Sequence, residues 1–251
     1  MPILFKADCP VARITLNRPE KRNALSRELI EVLTDTLALA AEDREARVVL
    51  ISGAGADFCA GADLAELDRT ADAGALEHLD TARELANLFL AIRHHPKPVI
   101  AAVRGRALAG GCGLATACDV VLAAESALFG YPEVNIGFIP AMVMAILRRN
   151  VGEKRAFDLL STGHPIGTAA AQQIGLITRV FPDGTFEENV EEYAELLAQK
   201  PASAVALTKS LLYHIDGMTF DQAIEAGARA NALARMTDAA RQGIEKFARK
   251  K

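Results

Sequence analysis

The chain has 251 residues, with 28 Lys and Arg against 32 Asp and Glu, so its formal charge is −4. Hydrophobic residues make up 51% and charged residues 24%, which excludes an intrinsically disordered chain and fits an ordinary globular protein. No segment concentrates Lys and Arg as a nucleic-acid reader would need, and no uncharged run is long enough to span a bilayer. We therefore expect no nucleic-acid or membrane partner. Because the N-terminus has no signal-peptide pattern, we expect a cytoplasmic location.

The first 185 residues alternate short apolar runs with helical patterns. Residues 11–17 alternate apolar and polar positions as a half-buried strand does, and Ser26 is the expected N-cap of the helix that follows. The remaining predicted strands are short buried runs at Val48–Ser52, Val99–Val103, Val120–Ala123 and Ile177–Phe181. Strands that alternate with helices predict a parallel sheet with right-handed crossovers.

From Phe186 onward the pattern becomes almost wholly helical. Four successive segments carry one apolar stripe each and few apolar residues elsewhere. Each such helix needs a surface to pack on, either the core of the same chain or another subunit. We therefore predict an α/β core domain over residues 1–185 and a C-terminal helical oligomerisation region over residues 186–251.

Two segments are rich in glycine directly after a predicted strand, Gly53–Leu64 and Gly105–Asp119. A dinucleotide fingerprint is disfavoured because its third glycine position is occupied by Phe58, and no Gly-Lys-Ser/Thr follows either segment. Two preorganised backbone N–H groups from separate loops could instead form an oxyanion hole, which selects small residues. Composition alone does not separate this interpretation from tight structural turns.

Three motifs in order resemble the crotonase, or enoyl-CoA hydratase/isomerase, superfamily: FCAGADL, ALAGGCGLATACD and FGYPEVNIGFIPA. The earlier segment NRPEKRNAL resembles the first coenzyme A loop of that family. The resemblance covers essentially the whole chain. It implies a spiral of ββα turns with C-terminal helices that mediate trimers, often paired as hexamers. It also implies an acyl-CoA thioester as substrate and no metal or separate cofactor.

The resemblance implies three catalytic residues. The backbone amides of Ala62 and Gly110 would form the oxyanion hole, and Glu133 would be the general acid/base. Family hydratases carry a further glutamate where this chain has Gly113. Hydration is the family's commonest activity and is therefore the first hypothesis. The second is Δ3–Δ2 enoyl-CoA isomerisation, which needs only one glutamate. The third is a non-catalytic acyl-CoA-binding or scaffold subunit. From the residues alone, a surface or ion-paired residue at a turn is the preferred interpretation of Glu133, and the motif match is what favours catalysis.

The resemblance also implies a set of residues at the substrate and coenzyme A cleft: Arg22, Ala60, Asp63, Leu64, Gly111 and Gly113. Asp63 is in addition the expected N-cap of a short helix over Leu64–Asp68. Lys246 and Lys250 are candidates for contacts with the coenzyme A phosphates, reaching in from a neighbouring subunit. The four cysteines lack zinc-ligand spacing and are expected to be reduced.

Overall fold

The computed structural model of the protein describes residues 1–249 and is a mixed α/β fold. Its elements, in chain order, are β1 (Ile3–Asp8), β2 (Val11–Leu16), α1 (Arg27–Glu42), β3 (Val48–Gly53), α2 (Leu64–Arg69), α3 (Ala75–His94), β4 (Val99–Val103), β5 (Arg106–Leu108), α4 (Gly110–Ala117), β6 (Val120–Ala124), β7 (Leu128–Gly130), α5 (Ala141–Asn150), α6 (Glu153–Thr162), β8 (Ile166–Gly167), α7 (Thr168–Gln173), β9 (Arg179–Phe181), α8 (Phe186–Ala198), α9 (Ala202–His214), α10 (Phe220–Met236) and α11 (Asp238–Ala248). A 3₁₀ helix spans Pro132–Ile136.

Within the described range, six strands form one sheet in the order β1-β2-β3-β4-β6-β9, and β5-β7-β8 form a second sheet. β1 and β2 pair antiparallel, and every later pair of the large sheet is parallel. Two successive turns of chain run from the large sheet to the small sheet and then into a helix: β4-β5-α4 and β6-β7-α5. The ββα repeat and the predicted strands are thus confirmed.

The sheet is buried on both faces, which is why its strands read as continuous apolar runs. On one face, Ile14 of β2 and Ile51 of β3 lie in the large core cluster with α1, α3 and α4. On the other face, Val190 of α8 packs in a second cluster against the alternate strand residues such as Val48. α8 therefore packs with the core, although it lies beyond the predicted boundary at residue 186.

The apolar side chains of the three helices after α8 are exposed or only partly buried. Among the described residues of α9–α11, Lys209 alone is buried, and the exposed apolar set includes Phe220, Ile224 and Met236. Lys209 donates to Asp119 at the end of α4 (2.7 Å) and to two main-chain carbonyls, so one buried ion pair anchors α9 to the core. In residues 1–249, no helix combines the length and hydropathy that crossing a membrane requires.

Candidate active site

The two glycine-rich segments lie against each other as a short parallel pair. The amide of Cys59 donates to the carbonyl of Arg106 (3.0 Å), and the amide of Leu108 donates to the carbonyl of Cys59 (3.0 Å). Further along the same register, a Cβ on Gly61 would lie 2.7 Å from the Cβ of Ala109. Gly61 has φ +99, so both the backbone conformation and this close approach require glycine.

Continued along the chain, the offset that pairs Cys59 with Ala107 would set Ala62 opposite Gly110, and a Cβ on Gly61 would lie 3.6 Å from the Gly110 amide nitrogen. Gly110 is the first residue of α4, where the main-chain N–H groups have no partner within the helix. Among residues 1–249, neither the Ala62 amide nor the Gly110 amide donates to a protein acceptor. These two N–H groups, one of them at the positive end of a helix, could stabilise negative charge on a substrate oxygen.

Ala109 turns the chain into α4 in a strained conformation, with φ +51 and ψ −129. A non-glycine residue in this region costs on the order of 1–3 kcal/mol and persists only where its surroundings enforce it. Here the Ala109 amide donates to the carbonyl of Gly130 on β7 (2.8 Å), and its carbonyl accepts the first bond of α4 from Gly113 (3.0 Å). Strain of this kind is typical of functional sites.

The segment NRPEKRNAL is hydrogen-bonded along the first glycine-rich segment. The carbonyl of Arg22 accepts from the amide of Ala60 (3.0 Å), and the amide of Leu25 donates to the carbonyl of Gly61 (2.7 Å). The Arg22 side chain is exposed beside this seam. The structure therefore brings Arg22, Ala60 and the Ala62 loop together, as the sequence predicts.

Asp63 has two partners within the protein. Its carboxylate accepts from the amide of Ala65 (3.1 Å) and from Arg18 (2.9 Å). Burial raises the pKa of Asp63, but the Arg18 guanidinium and the helix amides bring it below the ordinary value. The predicted N-cap of α2 is confirmed. Leu64, the next residue, is exposed, and a coenzyme A contact by either residue stays a prediction.

Glu133 lies in the 3₁₀ helix Pro132–Ile136, which follows β7 directly. Its Oε2 is buried and, among the described residues, has no hydrogen-bond partner. Burial raises the pKa of Glu133 above the ordinary glutamate value. A half-buried carboxyl without a cationic partner is not an ion-paired turn residue, which was the alternative from sequence. A raised pKa is typical of a general acid/base.

Gly113 lies inside α4 in a fully packed position. A Cβ there would meet Val143 Cγ1 at 2.3 Å and Phe89 Cζ at 3.0 Å. Both neighbours are buried, Val143 on α5 and Phe89 on α3. The space beside position 113, where the resemblance implies a second glutamate in hydratases, is therefore filled by apolar side chains. Gly111 is equally constrained, since its Cβ would lie 2.3 Å from the carbonyl oxygen of Cys59.

Five residues around the candidate site were not predicted from sequence: Arg18, Asp57, Phe89, Arg106 and Val143. Val143 and Phe89 carry no motif signal, because their roles depend on how α5 and α3 pack onto α4. Arg18 lies within the quoted NRPEKRNAL segment, whose spacing from Asp63 gives no sign of an ion pair. Arg106 is the first residue of β5, just before α4, and it pairs with Asp57 (2.7 Å).

The remaining predicted residues can be placed briefly. Lys246 is exposed in the last turn of α11, and Lys250 lies outside the described residues.

Burial raises the pKa of Cys59 and of Cys112 to about 12, so both thiols stay protonated at neutral pH. Within residues 1–249, no three His, Cys, Asp or Glu side chains lie together as a metal site would require.

Comparisons with solved structures agree with this fold. An enoyl-CoA hydratase from Mycobacterium smegmatis superposes with a TM-score of 0.95 at 32% identity, covering 100% of this chain and 97% of that one. Human enoyl Coenzyme A hydratase domain-containing protein 3 superposes with a TM-score of 0.95 at 30% identity, covering 100% of this chain and 98% of that one.

Sequence comparisons give the same family. A Thermus thermophilus protein named "Putative enoyl-CoA hydratase" is 42% identical over 241 residues, which are 96% of this chain and 95% of that protein. The family profile described as Enoyl-CoA hydratase/isomerase matches residues 7–251. With the fold, the converging glycine-rich segments and these matches in place, the chain belongs to the enoyl-CoA hydratase/isomerase (crotonase) family.

Proposed function

We propose that the protein is an acyl-CoA enzyme in which the amides of Ala62 and Gly110 stabilise a thioester enolate and Glu133 moves the proton. The observation that supports the proposal is the pairing of the two glycine-rich segments, whose register leads to the unpartnered amides of Ala62 and, at the start of α4, Gly110. Each donor of an oxyanion hole is typically worth about 3 kcal/mol of barrier. The substrate brings its own coenzyme A, so no separate cofactor is proposed.

The chemistry follows from the charge that must be held. When Glu133 removes a proton from the acyl chain, or when a nucleophile adds to the β-carbon, negative charge develops on the thioester oxygen. Two fixed N–H donors stabilise that charge more than they stabilise the neutral carbonyl, so they lower the barrier rather than only tightening binding. The raised pKa of Glu133 supports its role, because a carboxyl buried away from cations is a stronger base.

Hydration of a 2-enoyl-CoA is the first candidate reaction, and it is favoured by the relatives, which are named as enoyl-CoA hydratases. Isomerisation of a 3-enoyl-CoA to the 2-enoyl form is the second, and a specific observation favours it. Val143 and Phe89 fill the place where a second carboxylate would hold a water molecule. Moving a proton between two carbons needs only Glu133, whereas adding water requires Glu133 to position the water and also transfer the proton.

Turnover measurements distinguish a hydratase, an isomerase and a non-catalytic subunit. Purified protein is assayed for hydration of crotonyl-CoA and for isomerisation of a 3-enoyl-CoA, in parallel with binding of free coenzyme A. We expect turnover in one of the two assays, and the larger kcat/KM assigns the reaction. Binding of coenzyme A without turnover of a broad thioester panel would contradict the enzyme and favour the non-catalytic subunit.

A cytoplasmic location stays a prediction, since several relatives, the human one among them, are named as mitochondrial. Contacts between the coenzyme A phosphates and the lysines near the C-terminus also stay a prediction. Arg22 supports a phosphate contact from within the chain, because it is exposed beside the Ala60 loop.

An assembly of three or six chains is what the family resemblance implies, and the exposed apolar face of α10 supports a subunit contact there. Phe220 is 78% exposed and Ile224 is 60% exposed, and they lie one helical turn apart. An apolar stripe of this kind is typical of a surface that another subunit covers. Replacing both residues by glutamate is expected to lower the mass measured by light scattering from that of an oligomer to that of one chain.

Arg229→Gln is the matched control, because Arg229 lies on the opposite face of α10 and its ion-pair partner within residues 1–249 is Glu225 of the same helix (2.9 Å). The control variant is expected to keep the wild-type mass. A wild-type protein that is monomeric at micromolar concentration would contradict the predicted trimer or hexamer.

A further inference from the structure

An ion pair joins the two glycine-rich segments before they reach the candidate amides. The Asp57 carboxylate accepts from Arg106 Nε (2.7 Å), from Arg106 Nη2 (2.8 Å) and from the Arg106 main-chain amide (3.0 Å). The Asp57 side chain is 6% exposed and the Arg106 side chain 40%, so the carboxylate is buried while the arginine side chain still reaches water. Paired bonds of this kind fix the relative direction of the two groups as well as their distance.

The backbone is built to allow this contact. A Cβ on Gly105 would lie 1.9 Å from the carbonyl oxygen of Ala56 and 2.9 Å from Asp57 Oδ1, and Gly105 has φ +62. No other residue fits there, so the second segment starts in direct contact with the first. Asn23 adds a third chain to the same point, since its fully buried amide donates to the carbonyls of Ala54 (2.9 Å) and Asp57 (2.8 Å).

The ion pair and the two amides belong to one register. Beyond Asp57 and Arg106, the two segments share just two main-chain bonds, both through Cys59, before they separate at Ala62 and Gly110. Because two bonds are few, the register of this short parallel pair is weakly specified unless a further contact fixes it. A side-chain pair at the start of the segments does so, because any slip would break its two parallel bonds.

We infer that Asp57 and Arg106 are positioning residues for the oxyanion hole, because they fix the register that sets the amides of Ala62 and Gly110 side by side. The inference rests on the proposed function. We do not propose that either residue is catalytic. Arg106 lies at the start of β5, before Gly110, and its side chain binds Asp57. Their effect passes through the backbone.

Arg106→Met and Asp57→Asn test this inference. Both are expected to lower kcat about tenfold to hundredfold, the size of effect that a misplacement of about 1 Å produces. KM is expected to stay within about threefold. The carbonyl stretch of a bound enoyl-CoA, which shifts when the oxyanion hole polarises it, is expected to return toward its value in water. Arg106→Lys keeps the charge without the planar fork and is expected to fall between wild type and Arg106→Met.

Arg104→Met is the matched control, because Arg104 pairs with Glu187 on α8 (2.6 Å) rather than with the first segment. It is expected to keep the wild-type kcat and carbonyl shift. Should Asp57→Asn fail to fold, the two Arg106 variants carry the test, with assays run below their unfolding temperatures.

Wild-type kcat and carbonyl shift in folded Arg106→Met would overturn the inference. A raised KM with unchanged kcat would overturn it as well, since that result assigns Arg106 to coenzyme A binding. A wild-type protein with neither turnover nor carbonyl shift would overturn the proposed function first, and the inference with it.

Discussion

Replacing Glu133 by glutamine is expected to lower kcat by about two to four orders of magnitude, the usual contribution of a general acid/base. Glutamine keeps the shape of the side chain but cannot take a proton from the substrate. KM is expected to change by less than about threefold, because the proposed binding contacts lie on the other segments. Steady-state kinetics on whichever thioester the wild type turns over measure both values.

The matched control is Glu153→Gln, at an exposed carboxylate in the first turn of α6. It is expected to keep wild-type kinetics. If Glu133→Gln retained a tenth or more of the wild-type kcat, the proton would have to be carried by another group and the assignment of Glu133 would be wrong.

The pH dependence of the wild type is a further consequence of the same residue. Because burial raises the pKa of Glu133, the acidic limb of kcat/KM is expected above about pH 4.3, the ordinary glutamate value. Activity rises through that limb, since the deprotonated form is the base. The limb should be absent from the residual activity of Glu133→Gln.

Stability is expected to move in the opposite direction. A carboxyl whose pKa is raised in the folded state contributes stability that is fully present below its unfolded pKa. That stability is lost as the pH rises through the folded pKa. At neutral pH the buried charge of Glu133 therefore lowers the free energy of unfolding. Glu133→Gln should accordingly unfold at a temperature equal to or above that of wild type at pH 7.

The strands and the first helix could be predicted from sequence because they depend on local patterns. The alternation in residues 11–17 places Ile14 in the core, and Ser26 caps α1 by accepting from the amide of Leu29 (3.2 Å). Asp63 caps α2 in the same way. Caps and periodicity involve neighbours in sequence, so they can be read without knowing the tertiary fold.

The motifs predicted both amides and Glu133 as site residues, but not the contacts that hold them. Arg106 and Asp57 are far apart in sequence, and each taken alone reads as an ordinary surface charge. The packing of α8 on the sheet was also not evident, because its apolar stripe resembles those of the exposed helices after it. An amphipathic pattern shows that a helix has a buried face, but does not show which surface covers that face.

Gly113→Glu alone is expected to destabilise the protein without creating a hydratase. The new Cβ would lie 2.3 Å from Val143 Cγ1, and α4 is buried along its whole length. Forcing extra atoms into a packed core costs typically about 1–3 kcal/mol. For a chain of this size each kcal/mol lowers the unfolding temperature by about 2–4 °C. Thermal denaturation followed by circular dichroism measures the loss.

Val143→Ala removes the atom that conflicts with a side chain at position 113. The double variant Gly113→Glu/Val143→Ala is therefore expected to recover most of the lost stability. The two substitutions are in direct contact, so their effects on the free energy of unfolding should not be additive. Phe89 Cζ would still lie 3.0 Å from the new Cβ, and rotation of the ring about its own axis does not move this para carbon, so part of the destabilisation is expected to remain.

The double variant is also expected to hydrate crotonyl-CoA at least about tenfold faster than wild type, because a second carboxylate would share the work of positioning water and moving the proton. Gly113→Gln/Val143→Ala is the control, since glutamine has nearly the same size and carries no base. If both folded double variants hydrate at the same rate, the missing carboxylate does not limit hydration. If the glutamate variant alone gains activity, the carboxylate that is missing at position 113 is what limits water addition at this site.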